Sequence, residues 1–524
     1  MTDMRLILVA FPLLVLAFLA PETHAFGDVV AYPPLPDREL SALYAVTVDE
    51  RPVPVQRYNG NSYVWFAFAG TVTVKITLNE AAVAYQLSPK HSQIETKADG
   101  VDLSFVLDRP RKLVLRNVNT LTEELFIFGD SLEHDPPVLG SPGVISVLEY
   151  QANGTGVQDS VGAFQNAIDA VTKRPEGGVV YVPEGRYQIS QTVYLKSNVH
   201  LYLAPGALVE VPLGVTCCFE HGSVFRGLDA RNIRISGRGV IYGNGSAQSV
   251  FFWLLTAANV DNLFVDDILF LDGYTTALRL QRTTRSSLHN VKILSDSPQL
   301  SDGIDIESSR NVTVDDCFVY SSDDNTALGA GSNAGDAVES TEFVVIKNSV
   351  FYHTRTGHTF YIAPHIAPPY IKNILYDNND IISVAGAIGI YPFGGVKIEA
   401  VTFKDIRVEE VRDEMPISLW IGDCTSWGPQ NCGRPYGILG HIHNIRFENV
   451  TIDNYGRQNS LLQGHGAASD ISEVYFTDLK IAGNLITDPS VGRFTILGHV
   501  SNVSFSASGV RATYSVSTPS ETGP

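Results

Sequence analysis

The chain has 524 residues, 44 % hydrophobic and only 18 % charged, with 37 Lys and Arg against 56 Asp and Glu for a formal charge of −19. That length exceeds one ordinary core and predicts either two domains or one long repetitive domain. The low charged fraction argues against disorder, and the acidic balance against a nucleic-acid binder, whose affinity comes from counterions released by Lys and Arg.

The first feature along the chain is an apolar run, Leu6–Ala20, that follows Arg5, contains Pro12 and is ended by Pro21. It is short for a bilayer span, which needs roughly 18 or more residues, and reads as a secretory signal cleaved near Ala25. A membrane anchor or a buried strand is the alternative. No other stretch is apolar enough to span a membrane, so the expected product is exported and free. Five cysteines fit that compartment: Cys424 and Cys432 bracket a short Trp-Gly-Pro loop that a disulfide would close, and none has zinc-ligand spacing.

Residues 26–140 carry β-branched and aromatic runs, Tyr63–Phe68, Val72–Leu78, Val101–Leu107 and Leu113–Arg116, separated by Asn-Gly, Pro and Asp. Short strands at such spacing predict a small β-sandwich. The Pro- and Gly-rich stretch from His134 to Gly143 reads as its linker.

Beyond it a self-similar unit recurs, an apolar-x-apolar core after Asn. It starts at Asn232, Asn262, Asn290, Asn311, Phe343, Asn373, Ala400, Asn444, Glu473 and Asn502, at intervals of 30, 28, 21, 32, 30, 27, 44, 29 and 29 residues. Short strands repeating every 20–35 residues without helices between them predict a right-handed parallel β-helix, in which each coil buries its apolar face against the next. A β-propeller would need about 40–45 residues per blade. Asp159-Ser160, followed by Val161, Phe164, Ile168 and Val171 at helical spacing, predicts a helix capping the open first coil. The expected order is a signal peptide at 1–25, a β-sandwich at 26–140, a β-helix at 141–515 and a tail at 516–524.

Three acids stand out in this register, Asp302 and the pair Asp323-Asp324. Asp302 lies 12 residues after Asn290 and Asp323 lies 12 after Asn311. The spacing predicts that Asp302 and Asp323 stack on consecutive coils about 4.8 Å apart, with Asp324 in the same turn. Turn capping or a structural calcium ion would also use such acids. Crowded carboxylates that must differ in protonation are what glycosidic hydrolysis needs, one donating a proton to the leaving oxygen and one activating water. Arg355-Thr-Gly-His358 falls one coil later, where His358 is placed to hold the acid's proton or a sugar hydroxyl. Tyr391 and Phe393 follow after a further coil and offer either faces for sugar rings or core packing.

The ordered runs Ser301-Asp302-Gly303-Ile304-Asp305, Asp323-Asp324 and Gly357-His358 resemble the polygalacturonase family motifs Asn-Thr-Asp-Gly, Gly-Asp-Asp and Gly-His-Gly. The resemblance covers roughly residues 144–420. The sandwich and the segment Val199–Gly206 are also similar to the dextranase–isopullulanase family. Both families imply a right-handed β-helix and an inverting, cofactor- and metal-independent glycoside hydrolase. The resemblance implies Asp323 as general acid, Asp302 and Asp324 as the carboxylates that activate water, and His358 as the acid's support. Ser322 and Thr359 replace family glycines, and Gly389 and Tyr391 stand where polygalacturonases carry the Arg and Lys that bind galacturonate. Losing both cations weakens recognition of an anionic sugar and points to a neutral α-glucan, with Arg355 or Lys397 as the remaining candidate cations. A polygalacturonase or rhamnogalacturonan hydrolase, a polysaccharide lyase and a non-catalytic sugar-binding β-helix are the alternatives. The only partner expected is the polysaccharide, with a monomeric protein and neither nucleic acid nor membrane.

Overall fold

The computed structural model describes residues 28–117, 123–215, 219, 222–298, 301–329, 339–353, 355–362, 370–392, 395–422, 439–508 and 514–516. The expected signal segment, Phe393, Cys424, Cys432 and the tail from 517 lie outside the described residues.

Two sheets form the N-terminal sandwich. One joins Asp28–Ala31, Asn61–Ala69, Leu125–Ser131, Arg111–Asn117 and Tyr85–Ser88, with Val55–Tyr58 beside Asn61–Ala69. The other joins Arg51–Val53, Ala45–Val48, Val72–Thr77, Asp102–Leu107 and Lys97–Asp99. In the second sheet, Val72–Thr77 alternates buried and exposed residues, as a strand with one wet face should. Asn61–Ala69 is instead buried almost throughout. Its Val64, Phe66 and Phe68 fill the sandwich core, while Tyr63, Trp65 and Ala67 point the other way into a second apolar layer. That layer is the contact with the β-helix: Phe126 and Phe128 pack on Phe318 and Tyr320, with ring centroids 4.8 Å apart for Phe126–Tyr320 and 5.1 Å for Phe128–Phe318. The sandwich therefore lies along the side of the coils.

A charged cluster is sealed into this contact. Asp130, Arg238 and Lys292 are each at most 2 % exposed. The Arg238 guanidinium and the Lys292 ammonium both donate to Asp130 Oδ2, and Trp65 Nε1 donates to the same oxygen at 2.7 Å. Burial alone would raise the Asp130 carboxyl, but the charges of Lys292, Arg238 and Lys112 outweigh it and hold the group at about 2. Burial pushes Lys292 down to about 8 despite the pull of Asp130.

From Val144 onward the strands pair in parallel, coil on coil, as the parallel β-helix expected from the sequence. Three stacks of strands enclose one continuous apolar core. The first contains Arg310–Asp315 and His441–Glu448, the second Phe318–Ser321 against the sandwich, and the third Asp302–Glu307 and its neighbours. The predicted cap is the helix Val161–Thr172, which buries Ala163, Phe164, Ala167, Ile168 and Val171 against the first coils. Asp159 Oδ1, rather than the Ser160 hydroxyl, accepts from the first turn, at the Val161 N–H.

The corners explain the repeat. Asn198, Asn232, Asn262, Asn311, Asn373, Asn444 and Asn502 all have φ between +53° and +66°. Asn is the non-glycine residue that enters this left-handed region most readily. Their amides also form a ladder, Asn232 to Asn198 and Asn262 to Asn232, each at 2.8 Å. One start position needs correction. Ser286 pairs with both Leu263 and Val312, so Arg285, with φ +55°, takes the corner assigned to Asn290. Asn290 belongs to the next corner, where it donates to Asp267 at 2.8 Å. Two corners of each coil select Asn or Asp for the same reason, and the sequence pattern does not tell them apart.

Candidate active site

Strand pairing places the acids one residue away from the expected register. Ile304 pairs with Thr326 and Thr326 with Phe360, so Asp302, Asp324 and His358 form one column in the third stack, between Thr276 and Gly386. Asp302 is thus stacked on Asp324 and not, as predicted, on Asp323. Asp323 sits in the preceding turn, where its N–H donates to Ser301 O at 3.1 Å, and its carboxylate leans over the column. One carboxylate oxygen from each of the three acids lies within 4.8 Å of the others.

Serines hold the turns that place these acids. Ser322, where the family motif has glycine, accepts from the Ser301 N–H at 2.8 Å and donates to Ser297 O at 2.9 Å. The Ser301 hydroxyl donates to Ser295 O at 2.8 Å. Asn325 fixes the following residue by donating to the Ser321 hydroxyl at 2.7 Å and to Tyr352 O at 2.9 Å. Gly357, with φ +93°, faces Asp323 and Asp324: a Cβ there would lie 2.3 Å from Asp323 Oδ1. Alanine at this position is expected to strain the backbone and displace both acids, and a melting curve with a rate assay would show both losses.

Charge crowding dominates the electrostatics. Burial, then the charges of Asp305, Asp324 and Asp323, hold Asp302 well above the usual carboxylate range. Burial and Asp323 do the same for Asp324, while the His358 N–H, donating to Asp324 Oδ1 at 2.6 Å, works in the opposite direction. The Asp324 N–H donates to Asp302 Oδ1 at 3.1 Å. Burial raises Asp323 to about 6; the Asp324 backbone opposes this and the charge of Glu414 adds to it. Such a cluster titrates as a unit and cannot hold all its charges at once.

Two further acids were not singled out from the sequence. Asp305 projects from the same strand, accepts from the Thr276 hydroxyl at 2.9 Å, and is raised to about 7 by burial and by Glu307. Its alternation with buried Ile304 and Ile306 was a readable signal. Glu414 arrives from two coils later. It accepts from the Thr356 hydroxyl at 2.9 Å and the Gly357 N–H at 3.2 Å, and lies 3.8 Å from His358 Nε2. No sequence spacing announces it, because it lies outside the strands.

The other candidates take different places. His358 is 3 % exposed, and burial pushes its imidazole down to about 4 against the pull of Glu414. The ring therefore stays neutral above that pH, stacks on Tyr361 and shares a 3.1 Å hydrogen bond with the Tyr391 hydroxyl. Tyr391 is 4 % exposed, so it lies in the wall of the site and presents no open face to a sugar. Arg355 is half-exposed with Nε 3.6 Å from Asp296 Oδ1, and Lys397 extends over the Tyr370 ring on the neighbouring stack. A Cβ on Gly389 would lie 2.8 Å from the His358 ring, so this position has no room for a cation while the imidazole stands there. Arg279, in the same column as Asp305, is held by Glu307 through two bonds of 3.1 and 2.9 Å and stacks on Trp253.

The sandwich reaches this region. Asn59 donates to Asp296 O at 2.8 Å, and the Asp296 N–H donates to the Tyr58 hydroxyl at 2.8 Å. The turn that carries Arg355's partner is thereby tied to the first domain.

Comparison with known proteins gives the same picture. Residues 144–363 match the family described as "Rhamnogalacturonase A/epimerase, pectate lyase-like". An exopolygalacturonase of Arabidopsis thaliana (clone GBGE184) is 24 % identical over 211 residues, 37 % of this chain and 49 % of that protein. A probable rhamnogalacturonase E of Aspergillus oryzae is 23 % identical over 193 residues, 36 % of this chain and 44 % of that protein. A plasmin and fibronectin-binding protein A of Streptococcus pneumoniae is 45 % identical over 65 residues, 12 % of this chain and 9 % of that protein. The chain spans half or less of the length of these relatives. Among solved structures, Dex49A from Penicillium minioluteum superposes with a TM-score of 0.60 at 14 % identity, covering 90 % of this chain and 95 % of that one. The Family 28 exopolygalacturonase of Yersinia enterocolitica gives 0.53 at 15 % identity, covering 92 % and 100 %. These two are likenesses of fold. The resemblance drawn from the acid motifs is thus met by a pectate lyase-like family match over the coils that carry Asp302, Asp323, Asp324 and His358.

Proposed function

We propose that this chain is a secreted glycoside hydrolase that cleaves α-glycosidic bonds in a polysaccharide, with inversion at the anomeric carbon. The observation that carries this reading is the convergence of three partly buried carboxylates within 4.8 Å, one of them held near 6. A proton donor with that value stays protonated in mildly acidic solution and releases its proton readily in the transition state. Asp323 is assigned as this donor, Asp302 and Asp324 as the pair that binds and deprotonates water. The Asp324 and His358 backbone N–H groups support negative charge on that pair. His358, with Tyr391 behind it, positions the strand that carries this amide. Export is supported by the apolar run Leu6–Ala20. Among the described residues no helix is long and apolar enough to cross a membrane.

Inverting enzymes usually separate acid and base by about 6.5–9.5 Å to admit water. The side chains do not splay in that way here. Water gripped jointly by Asp302 and Asp324 need not lie between acid and base, and that is the arrangement assigned.

A neutral α-glucan is the favoured substrate. Asp302, Asp305, Asp323, Asp324 and Glu414 make the floor acidic, and the flanking Arg279 and Arg355 each face a carboxylate of their own. Among the described residues that line this floor, no free cation offsets the repulsion a galacturonate would meet. The family match and the exopolygalacturonase and rhamnogalacturonase relatives favour the second reading, a pectic polysaccharide. Reducing-end release on dextran, pullulan, polygalacturonate and rhamnogalacturonan tests both. Cleavage of either neutral glucan supports the first, and cleavage confined to the two pectic polymers replaces it with the second.

The pH profile follows from the proton donor. Activity requires Asp323 protonated, so kcat/KM falls as pH rises through about 6. The water-activating pair shares a proton and works through its remaining charge, so activity falls again in acid as that charge is lost, which gives a bell with its maximum on the acid side of neutral. A maximum above pH 8 would contradict the assignment. Replacing Glu414 by Gln removes a negative charge beside Asp323, eases its ionisation and moves the alkaline limb to lower pH, by up to about one unit. An unmoved limb would show that Glu414 does not tune the donor.

A further inference from the structure

We propose that His441, His443 and Asp470 form a binding site for one divalent transition-metal ion, with zinc as the best match to the ligand set, on the outer face of the first strand stack. His441 and His443 flank buried Ile442 at the start of the strand His441–Glu448, so the two-residue period of a strand turns both imidazoles to the outside. The next coil supplies the third group. Ile442 pairs with Ile471 and its N–H donates to Asp470 O at 3.2 Å, which sets Asp470 beside His441.

The three donors point at one place. His441 Nδ1 lies 3.0 Å and His443 Nε2 3.2 Å from the same oxygen, Asp470 Oδ1. Zinc bonds of about 2.0–2.2 Å in a tetrahedron set ligand atoms about 3.3–3.5 Å apart. Shifts of a few tenths of an ångström would open the triangle around an ion. The rings are inclined at 66° with centroids 5.4 Å apart, so both nitrogens approach the oxygen without stacking on each other. The three side chains are 27 %, 35 % and 31 % exposed, which leaves the outer side of the ion to water.

The surroundings suit a cation. Glu399 precedes His443 in its column and adds negative charge. Lys397 precedes His441, but its ammonium lies over the Tyr370 ring, 5.6 Å from the centroid, on the side of the preceding coil. Two imidazoles and one carboxylate select zinc, cobalt, nickel or copper over calcium and magnesium, which prefer oxygen ligands. The ion would clip the coil that starts at His441 to the coil that starts at Ile471. It lies on a different stack from the acid cluster and takes no part in the proposed hydrolysis.

The test is calorimetric titration of EDTA-stripped, buffer-exchanged protein with zinc chloride, and with calcium chloride in parallel. One equivalent of zinc with micromolar or tighter affinity is expected, together with a higher melting temperature and no comparable calcium binding. His441→Gln and His443→Gln should each weaken zinc at least about 100-fold and abolish its effect on melting, while the metal-free melting temperature stays close to that of the native chain. No zinc binding up to millimolar concentration would overturn the proposal. So would undiminished binding in both variants, which would put the ion elsewhere, on the acid cluster for example. Equal affinity for calcium would overturn the choice of ligand set.

Discussion

Asp323→Asn is expected to lower the rate of reducing-end release by about 10²- to 10⁴-fold, the range contributed by a positioned proton donor. The substitution keeps the size of the side chain and removes its proton-donating capacity. It also relieves charge repulsion in the cluster, so melting temperature should hold or rise slightly. That combination, activity lost and fold kept or strengthened, separates a working acid from a turn cap. Loss of stability without loss of rate would reassign Asp323 to structure. Asp302→Asn and Asp324→Asn should lower the rate as well, and the double variant should fall well short of the product of the two, since they act on one water.

Asp130→Asn should cost about 3–5 kcal/mol of stability, the loss seen when one member of a buried ion cluster is removed. Arg238 and Lys292 would remain buried between sandwich and coils without the carboxylate that both of them meet. Arg238 keeps the Ser131 carbonyl at 3.1 Å and, as its nearest remaining carboxylate, Asp267 at 3.4 Å. Denaturant unfolding monitored by tryptophan fluorescence, to which buried Trp65 contributes, reads the effect. Adding Lys292→Met should recover part of the loss, because it removes one of the unpaired charges. A change under 1 kcal/mol for the single variant would mean that the cluster is hydrated. The pH dependence has a definite sign. Asp130 in the folded chain, held at about 2, lies below the ordinary 3.8. Its contribution is therefore complete above pH 3.8 and disappears as pH falls through about 2.

Much of this molecule is legible before folding because a solenoid writes its period into the sequence. Asn at the left-handed corners and apolar pairs after it locate most coils, and the helix Val161–Thr172 follows from its i, i+3, i+7 pattern. The acids are legible as a group for the same reason. Their pairing is not: Ser295 pairs with Ser321, yet Asp302 follows seven residues later and Asp324 only three, so the two turns differ in length and the equal 12-residue spacings from Asn290 and Asn311, which occupy different corners, point to Asp323 instead. Arg285, Phe343, Ala400 and Glu473 occupy left-handed corners that their own preferences disfavour; the apolar pairs that follow Phe343, Ala400 and Glu473 give those three away, and only strand pairing reveals Arg285. Glu414 and the His441–Asp470 pair are contacts between coils roughly 30 to 90 residues apart, invisible to any local pattern. Tyr391 reads equally as platform or core; hydrogen bonding to His358 makes it wall. The double-sided burial of Asn61–Ala69 was visible as an unbroken apolar run, but its second partner, the side of the coils, was not.

Proton NMR of the polysaccharide digest, taken within the first minutes of reaction by the native chain, reads the stereochemistry of cleavage before the anomers equilibrate. New reducing ends are expected to appear first as the β-anomer from an α-linked substrate, with no signal from an unsaturated uronate. The α-anomer appearing first would contradict attack by water held on Asp302 and Asp324. An unsaturated product would show elimination in place of hydrolysis, and an unchanged spectrum on all four polysaccharides would contradict the assignment of these carboxylates to glycosidic cleavage.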